Sequence, residues 1–411
     1  MKEIISSLDI GSSTVKLVVG EVYKNEVNVL CVSEVKSKGV KKGVIVNPEE
    51  AIVSLKELFR RAEETLGISV NKVILLVPSY YSEFLMTEQS VKIENEEGTV
   101  RNDDVINVLQ ACVYGKVPSN KEFISITPVE FKINDEKKVT SPKGMKAKKL
   151  SCKGVLSIAP KKNIYTAISL LENIGVNVID INFGSVSDYY EFKTKDMNNK
   201  NTAVINIGEE KTEVSIFKKG VLIDTETIEL GGRNIDRDIC YIYNISRQRA
   251  KELKEKFALA HKRNASTSWS EDVLNNEDES IKINQYELSE IIYSRIKEIL
   301  ELAKKQINIL TKLEISYIIV TGGSSEANDF GLVVSEVFGE NAKVYKVKEI
   351  GCRHNKYSSV LGFIKYYHEK LSFRDKIAYT VTEEEQNELL SYKKTSDTSV
   401  LGKIYGYFFN N

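Results

Sequence analysis

The sequence is short of the residues from which metal centres and disulfide frameworks are built. Only three histidines, His261, His354 and His368, stand in 411 residues. His354 alone lies near a thiol, two residues after Cys352, and one such pair without a second is a weak metal signal. The five cysteines, at positions 31, 112, 152, 240 and 352, are odd in number and form no CxxC pair. Reduced thiols are therefore expected, rather than clustered-thiolate zinc or a disulfide scaffold. Net charge is absent too. Fifty-eight Lys and Arg balance 58 Asp and Glu, which leaves no general attraction to nucleic acid or to an anionic surface. No apolar run approaches the roughly 20 residues of a membrane-spanning helix, and the first residues carry no signal-peptide core. The expected setting is the cytosol, or a membrane face reached without a span.

What is present is core-forming material. The chain is 42% apolar, and its length favours two or three domains. Residues 4–22 read as a β-hairpin turned at Gly11-Ser12-Ser13-Thr14, with a third strand at 27–34. Helical spacing follows at 48–66, then a buried strand at 73–77 before Pro78. Composition changes at 84–162. Lysine dominates 137–153, strand-like pieces flank that loop at 123–133 and 150–158, and 103–114 reads as a helix capped by Asn102. The basic loop lacks interleaved aromatics and reads as a solvated hairpin in an inserted domain rather than a nucleic-acid surface. The α/β rhythm returns with a helix at 162–174, a strand at 176–181 and a second hairpin from 203 to 230. Helices are predicted at 235–243, 246–260 and 287–310, and a buried strand at 317–320 runs into Thr321-Gly322-Gly323.

The two hairpins carry the chemistry. Asp9-Ile10-Gly11-Ser12-Ser13-Thr14 forms the first turn and Asn206-Ile207-Gly208-Glu209-Glu210-Lys211-Thr212 the second, about two hundred residues later. A tight turn of small residues exposes N–H groups that can wrap a phosphate. Ser12 and Ser13 add hydroxyls, Lys16 a cation, and Asp9 a carboxylate able to hold Mg²⁺ through water. One such turn is unremarkable; two suit a nucleotide held between similar lobes. Gly322 and Gly323, after a buried strand, let backbone approach a ring or a phosphate.

At this point the residues resemble the FtsA family of bacterial cell-division proteins. The resemblance runs through Leu8–Ser13 and Val19-Gly20-Glu21, Gly39-Val40-Lys41-Lys42-Gly43-Val44-Ile45, and Ile126-Thr127-Pro128-Val129-Glu130-Phe131. It continues through Pro142-Lys143-Gly144-Met145, Gly231-Gly232 with Asp238-Ile239, Ile319–Gly323 and Gly351-Cys352-Arg353. It implies a two-lobed actin-like α/β fold of the duplicated ribonuclease H-like type, with a small α+β domain inserted in the first lobe. The expected division is 1–83 with 163–198 for the first lobe, 84–162 for the insertion, and 199–370 for the second lobe, whose smaller subdomain is 241–310. A linker (371–399) and an amphipathic end (400–411) follow.

The same resemblance implies ATP and Mg²⁺ in the interdomain cleft. Gly11, Ser12, Ser13, Lys16, Gly208, Thr212, Gly231, Gly232, Gly322 and Gly323 would surround the nucleotide, with Lys254 and Glu255 at the ribose. For that last pair, the solvated face of a charged helix is an equal reading. It implies head-to-tail filaments and recruitment of later division proteins. It also implies that Arg295 docks the C-terminal peptide of the tubulin-like protein FtsZ; an i,i+3 bridge to Glu298 is the alternative. The setting implied is the inner face of the cytoplasmic membrane at the division septum.

Departures matter as much. Asn206 stands where the family has Asp, Glu209, Glu210 and Lys211 replace small residues, and Gly184-Ser185 replaces a Gln-Pro pair. Metal and positioning dominate phosphoryl transfer, so nucleotide binding is expected to outlast hydrolysis, and no catalytic residue is assigned beyond Asp9 and Asn206 as organising positions. These substitutions argue against a small-molecule kinase of the same fold. A pilus-assembly adaptor of the PilM type is the nearer alternative, and the tail discriminates. Leu401, Ile404, Tyr405, Phe408 and Phe409 form one apolar stripe at helical spacing. So short a segment folds only against a surface, either the protein itself or a bilayer interface. The polar linker favours the bilayer, although a single lysine gives little attraction to anionic lipid.

Overall fold

The computed structural model describes residues 3–24 and 26–373. The first lobe opens with β1 (Glu3–Ile10), β2 (Thr14–Tyr23) and β3 (Glu26–Lys36). A two-residue pair, β4 (Val40–Lys41) and β5 (Val44–Ile45), precedes α1 (Pro48–Leu66) and β6 (Lys72–Val77). Helix α1 starts where Asn47 accepts the Glu50 N–H and Pro48 presets the first turn; it stops at Gly67, whose φ of 74° serves the left-handed cap. Its Leu55 and Leu58 are fully buried, each contributing about 1.5–3 kcal/mol of apolar transfer.

The insertion holds β7 (Glu83–Lys92), α2 (Asn102–Val113), β8 (Lys121–Ile133), β9 (Lys137–Val139) and β10 (Lys149–Pro160). They form a separate sheet in the order β7-β10-β8-β9. Its own core joins Val105, Val108 and Cys112 of α2 to Phe131, Ile133 and Leu150. The cap of α2 is Arg101, whose N–H donates to Asp104, and not the expected Asn102. The chain returns through α3 (Lys161–Glu172), β11 (Asn177–Phe183) and α4 (Gly184–Phe192).

The second lobe repeats the plan with β12 (Asn201–Ile207), β13 (Thr212–Lys218) and β14 (Val221–Ile228), then α5 (Gly232–Tyr243) and α6 (Arg247–Lys256). A regular hairpin, β15 (Ser270–Leu274) with β16 (Ser280–Asn284), occupies the stretch read as irregular. Next come α7 (Gln285–Leu310), β17 (Tyr317–Thr321), α8 (Phe330–Phe338), β18 (Ala342–Val344) and α9 (Ser358–Phe373).

The two main sheets share one topology. The first runs β11-β6-β1-β2-β3 and the second β18-β17-β12-β13-β14, each with three antiparallel strands and two parallel additions. Their central strands are apolar on both faces, as covered parallel sheets require. One expectation needs correction. Helix α9 follows the second lobe in sequence, yet Val360, Leu361, Phe363 and Ile364 belong to the first-lobe core, so the second lobe does not extend to residue 370. The helix crosses back over α4, with which it makes extensive contact. The crossing is close because Gly362 has no side chain; a Cβ there would overlap the Ser187 carbonyl.

Candidate functional site

Each central hairpin closes with four residues between its last cross-strand pairs, Ile10↔Val15 in the first lobe and Ile207↔Thr212 in the second. The turns face each other across a cleft of about 770 Å³. The cleft wall includes Asp9, Gly11, Ser12, Ser13 and Lys16 from the first lobe and Asn206, Gly208, Gly232, Lys254 and Glu255 from the second, with Gly322 and Gly323 beside them. Close backbone packing builds the second side. A Cβ on Gly231 would lie 2.6 Å from the Gly208 carbonyl oxygen, and one on Gly232 would lie 2.5 Å from Ser324 Oγ. Gly322, at φ 98°, runs within 2.5 Å of Asn206 Oδ1 by the same measure, a position only glycine fills without strain.

The cations of the cleft are held by acids of the same chain. Lys16 Nζ meets Asp9 Oδ2 at 2.5 Å, directly across the hairpin. Lys254 pairs with Asp236 and also donates to the Gly232 carbonyl at 3.3 Å. Lys356 Nζ reaches Glu34 at 2.6 Å, as does the Tyr357 hydroxyl. Burial alone would raise the Glu34 carboxyl, but those two donors outweigh it and hold it below the ordinary carboxylate range.

Glu209 and Glu210 turn inward rather than away. Arg247 Nη2 donates to Glu209 Oε1 at 2.6 Å, Arg233 pairs with Glu210, and the backbone N–H of Lys42 donates to Glu210 Oε2 at 2.7 Å. Burial works against ionisation of Glu209, yet the Ser13 hydroxyl with Lys251, Arg233 and Arg247 keeps it below its ordinary value. Glu210 thus ties the second turn to the first lobe, while Glu209 is held by second-lobe cations.

Behind the cleft, Asp188 lies fully buried on α4. Asn206 Nδ2 donates to its Oδ2 at 2.5 Å, and the Ser358 and Ser359 hydroxyls to its Oδ1 at 2.6 and 2.8 Å. Burial pushes Asp188 up to about 6 against these three hydrogen bonds, and the charge of Glu213 adds to the rise. A carboxylate in place of the Asn206 amide would confront Asp188 with a like charge. The asparagine thus has a structural partner, and it brings no charge to a metal.

Two expected residues do not reach the cleft wall. Thr212 is fully buried and donates its hydroxyl to the Leu230 carbonyl at 2.8 Å; the pleat that aims its neighbour Glu213 at the cleft turns it the other way. Gly231 stacks under the second turn instead of lining the cleft. Lys16 faces Asp9 rather than standing free. Arg295 lies outside the cleft wall, on a groove of about 600 Å³ with Tyr241, Ile242 and Ile291. It holds Asp238 through two hydrogen bonds, at 2.6 and 2.9 Å, and also bridges to Glu298. Leu401, Ile404, Tyr405, Phe408 and Phe409 lie outside the described residues. Asp188, Glu34, Arg233, Arg247 and Lys356 were not read from the sequence.

Duplicated five-stranded sheets around a central cleft, with an insertion after the fourth strand of the first, define a two-lobed actin-like protein. Among solved structures, MreB5 of Spiroplasma citri bound to ADP is similar at a TM-score of 0.57 and 14% identity, covering 91% of this chain and 98% of that one. A chain of a PilM-PilN type IV pilus biogenesis complex reaches 0.57 at 13% identity, covering 87% and 96%. At such identities the likeness concerns the fold. Two family models match more specifically: Cell division protein FtsA at residues 203–362, and the SHS2 domain inserted in FtsA at residues 82–157. The Cell division protein FtsA of Bacillus subtilis (strain 168) is 28% identical over 366 residues, 89% of this chain and 83% of the relative. The chain belongs to the FtsA family of cell-division proteins.

Proposed function

We propose that the cleft binds ATP with Mg²⁺ and hydrolyses it slowly or not at all. In this reading the protein forms head-to-tail filaments on the inner face of the cytoplasmic membrane at the division septum, holds FtsZ there and recruits later division proteins. The observation that supports nucleotide binding best is the pair of four-residue turns facing each other, with the glycine cradle of Gly232, Gly322 and Gly323 between them. The residues present fit such a ligand. Gly11, Ser12, Ser13 and Lys16 would hold its phosphates from one side and Gly208 from the other, and Lys254 with Glu255 would lie toward the ribose. The metal, when bound, supplies neutralising charge at the phosphates, and Asp9 is the carboxylate nearest that task. Slow hydrolysis follows from Asn206, whose amide is committed to Asp188, and from Gly184, which has no side chain to place a water.

Arg295 supports the FtsZ reading only by exchange, since an incoming carboxylate must replace Asp238. Attachment to the bilayer rests on the spacing of the stripe at 401–409, and polymerisation would multiply one weak anchor. The departures at Asn206 and Gly184-Ser185 argue against the kinase reading, and the match to the insertion characteristic of FtsA favours the division protein over the pilus adaptor.

Sedimentation with phospholipid vesicles, in the presence of ATP, Mg²⁺ and the FtsZ tail peptide, tests the reading. The full chain should pellet and carry the peptide with it, while a chain lacking residues 400–411 stays in solution. Undiminished pelleting of the shortened chain would refute the anchor. Turnover comparable to that of a metabolic kinase would refute slow hydrolysis.

A further inference from the structure

The turn carboxylates use the groups that a phosphate would use. Glu210 takes a turn N–H at Lys42. Turn N–H groups are donors with which such loops hold phosphate oxygens. Arginines complete the likeness, Arg247 on Glu209 and Arg233 on Glu210, since guanidinium suits carboxylate and phosphate alike. Neither acid is a solvated surface group, for the Glu210 side chain is only 9% exposed and that of Glu209 19%. The first turn has no counterpart, with Ser12 and Ser13 at the matching positions.

We propose that Glu209 and Glu210 are internal substitutes for a terminal phosphate and set how many phosphates the cleft accepts, favouring a nucleoside diphosphate over a triphosphate. The inference rests on the nucleotide reading of the cleft and narrows it. Each further phosphate adds negative charge beside two carboxylates held in a partly desolvated turn, where like charges repel far more than in water. A shorter phosphate chain brings less of this penalty. The cations nearby do little to offset this, because each already has a carboxylate partner: Lys16 has Asp9 and Lys254 has Asp236.

Calorimetric titration of ADP and of ATP at the same free Mg²⁺ tests the proposal on the full chain, on Glu209→Gln, on Glu210→Gln and on the double variant. Glutamine keeps shape and acceptor oxygen while removing charge, and thermal unfolding checks that each variant folds. The wild type should bind ADP about tenfold or more tighter than ATP, and the double variant should bring the ratio below about threefold, chiefly by tighter ATP binding. A wild type that binds ATP as well as ADP overturns the proposal, as does a ratio unmoved by the glutamines. Loss of ATP affinity in the variants also overturns it, because the carboxylates would then serve through the metal. Binding confined to the glutamine variants overturns the diphosphate preference, because the carboxylates would then exclude both nucleotides alike. If no variant binds either nucleotide, the nucleotide reading itself fails and this one falls with it.

Discussion

The two hairpins have the same backbone plan and opposite electrostatics. Just inside each turn, the first lobe sets Asp9 across from Lys16, and the second sets Asn206 across from Glu213. The first pair is satisfied within its own hairpin, at 2.5 Å. In the second, Asn206 donates to Asp188 on α4, and Glu213 accepts from the Ser79 hydroxyl at 2.5 Å besides pairing with Lys211 of its own turn at 3.3 Å. The first turn is therefore closed on itself, while the second is tied to the first lobe at its floor and at its mouth. Duplication kept what burial dictates, the register and turn length, and left the polar positions free to diverge into links between lobes.

The largest expected effect lies in the first lobe, where α9 crosses α4. Gly362→Ala forces a Cβ into the Ser187 backbone, and we expect a loss of about 3 kcal/mol or more in chemical denaturation. Gly331→Ala, on α8 within the second lobe, meets open space and should be neutral or stabilising by up to about 1 kcal/mol. Equal effects at the two sites would show that the crossing is not tightly packed. Next in size is Asn206→Asp, which makes the second hairpin resemble the first. Two carboxylates would then meet at hydrogen-bond distance and could not both ionise. The expected loss is about 2–3 kcal/mol at pH 7.5 and smaller at pH 5, where the pair retains a shared proton. Adding Asp188→Asn should restore most of it, and failure to do so would mean that the asymmetry has another cause.

The sheets were legible because strands covered on both faces are written as continuous apolar runs, as at residues 73–77 and 317–320, and because glycine marked both turns. Strand β7 was not legible. It lies at a sheet edge with most of its side chains exposed, so it has no apolar run to declare it. The placement of α9 was hidden for a different reason: an apolar face does not say which sheet it will cover. Most of the expected cleft residues do line the cleft, because they sit on the two turns, beside them, or on the segments packed against them. Asp188 escaped because its serine donors stand about 170 residues away in the chain. Arg233 and Arg247 escaped because a cation on a charged helix looks the same whether water or a carboxylate faces it.

Smaller effects refine the comparison. Asp188 titrates near 6 when folded, above the unfolded carboxyl value of about 3.9. Its contribution to stability is fully present below about pH 4 and is lost as the pH rises through about 6. Removing it with Asp188→Asn should flatten the stability profile between pH 4 and 7 by about 2 kcal/mol. An unchanged slope in Asp188→Asn would place the titration elsewhere. The smallest effect is expected at the mouth. Lys42 joins the lobes twice, through its ammonium to Glu229 at 2.6 Å and its backbone N–H to Glu210 at 2.7 Å. The first partner is largely exposed, so Lys42→Ala should cost no more than about 0.5 kcal/mol. The second link survives that substitution because it belongs to the backbone. If Lys42→Ala nevertheless destabilised the protein as much as Glu210→Gln, the surface ion pair, and not the buried turn carboxylate, would be what holds the two hairpins together.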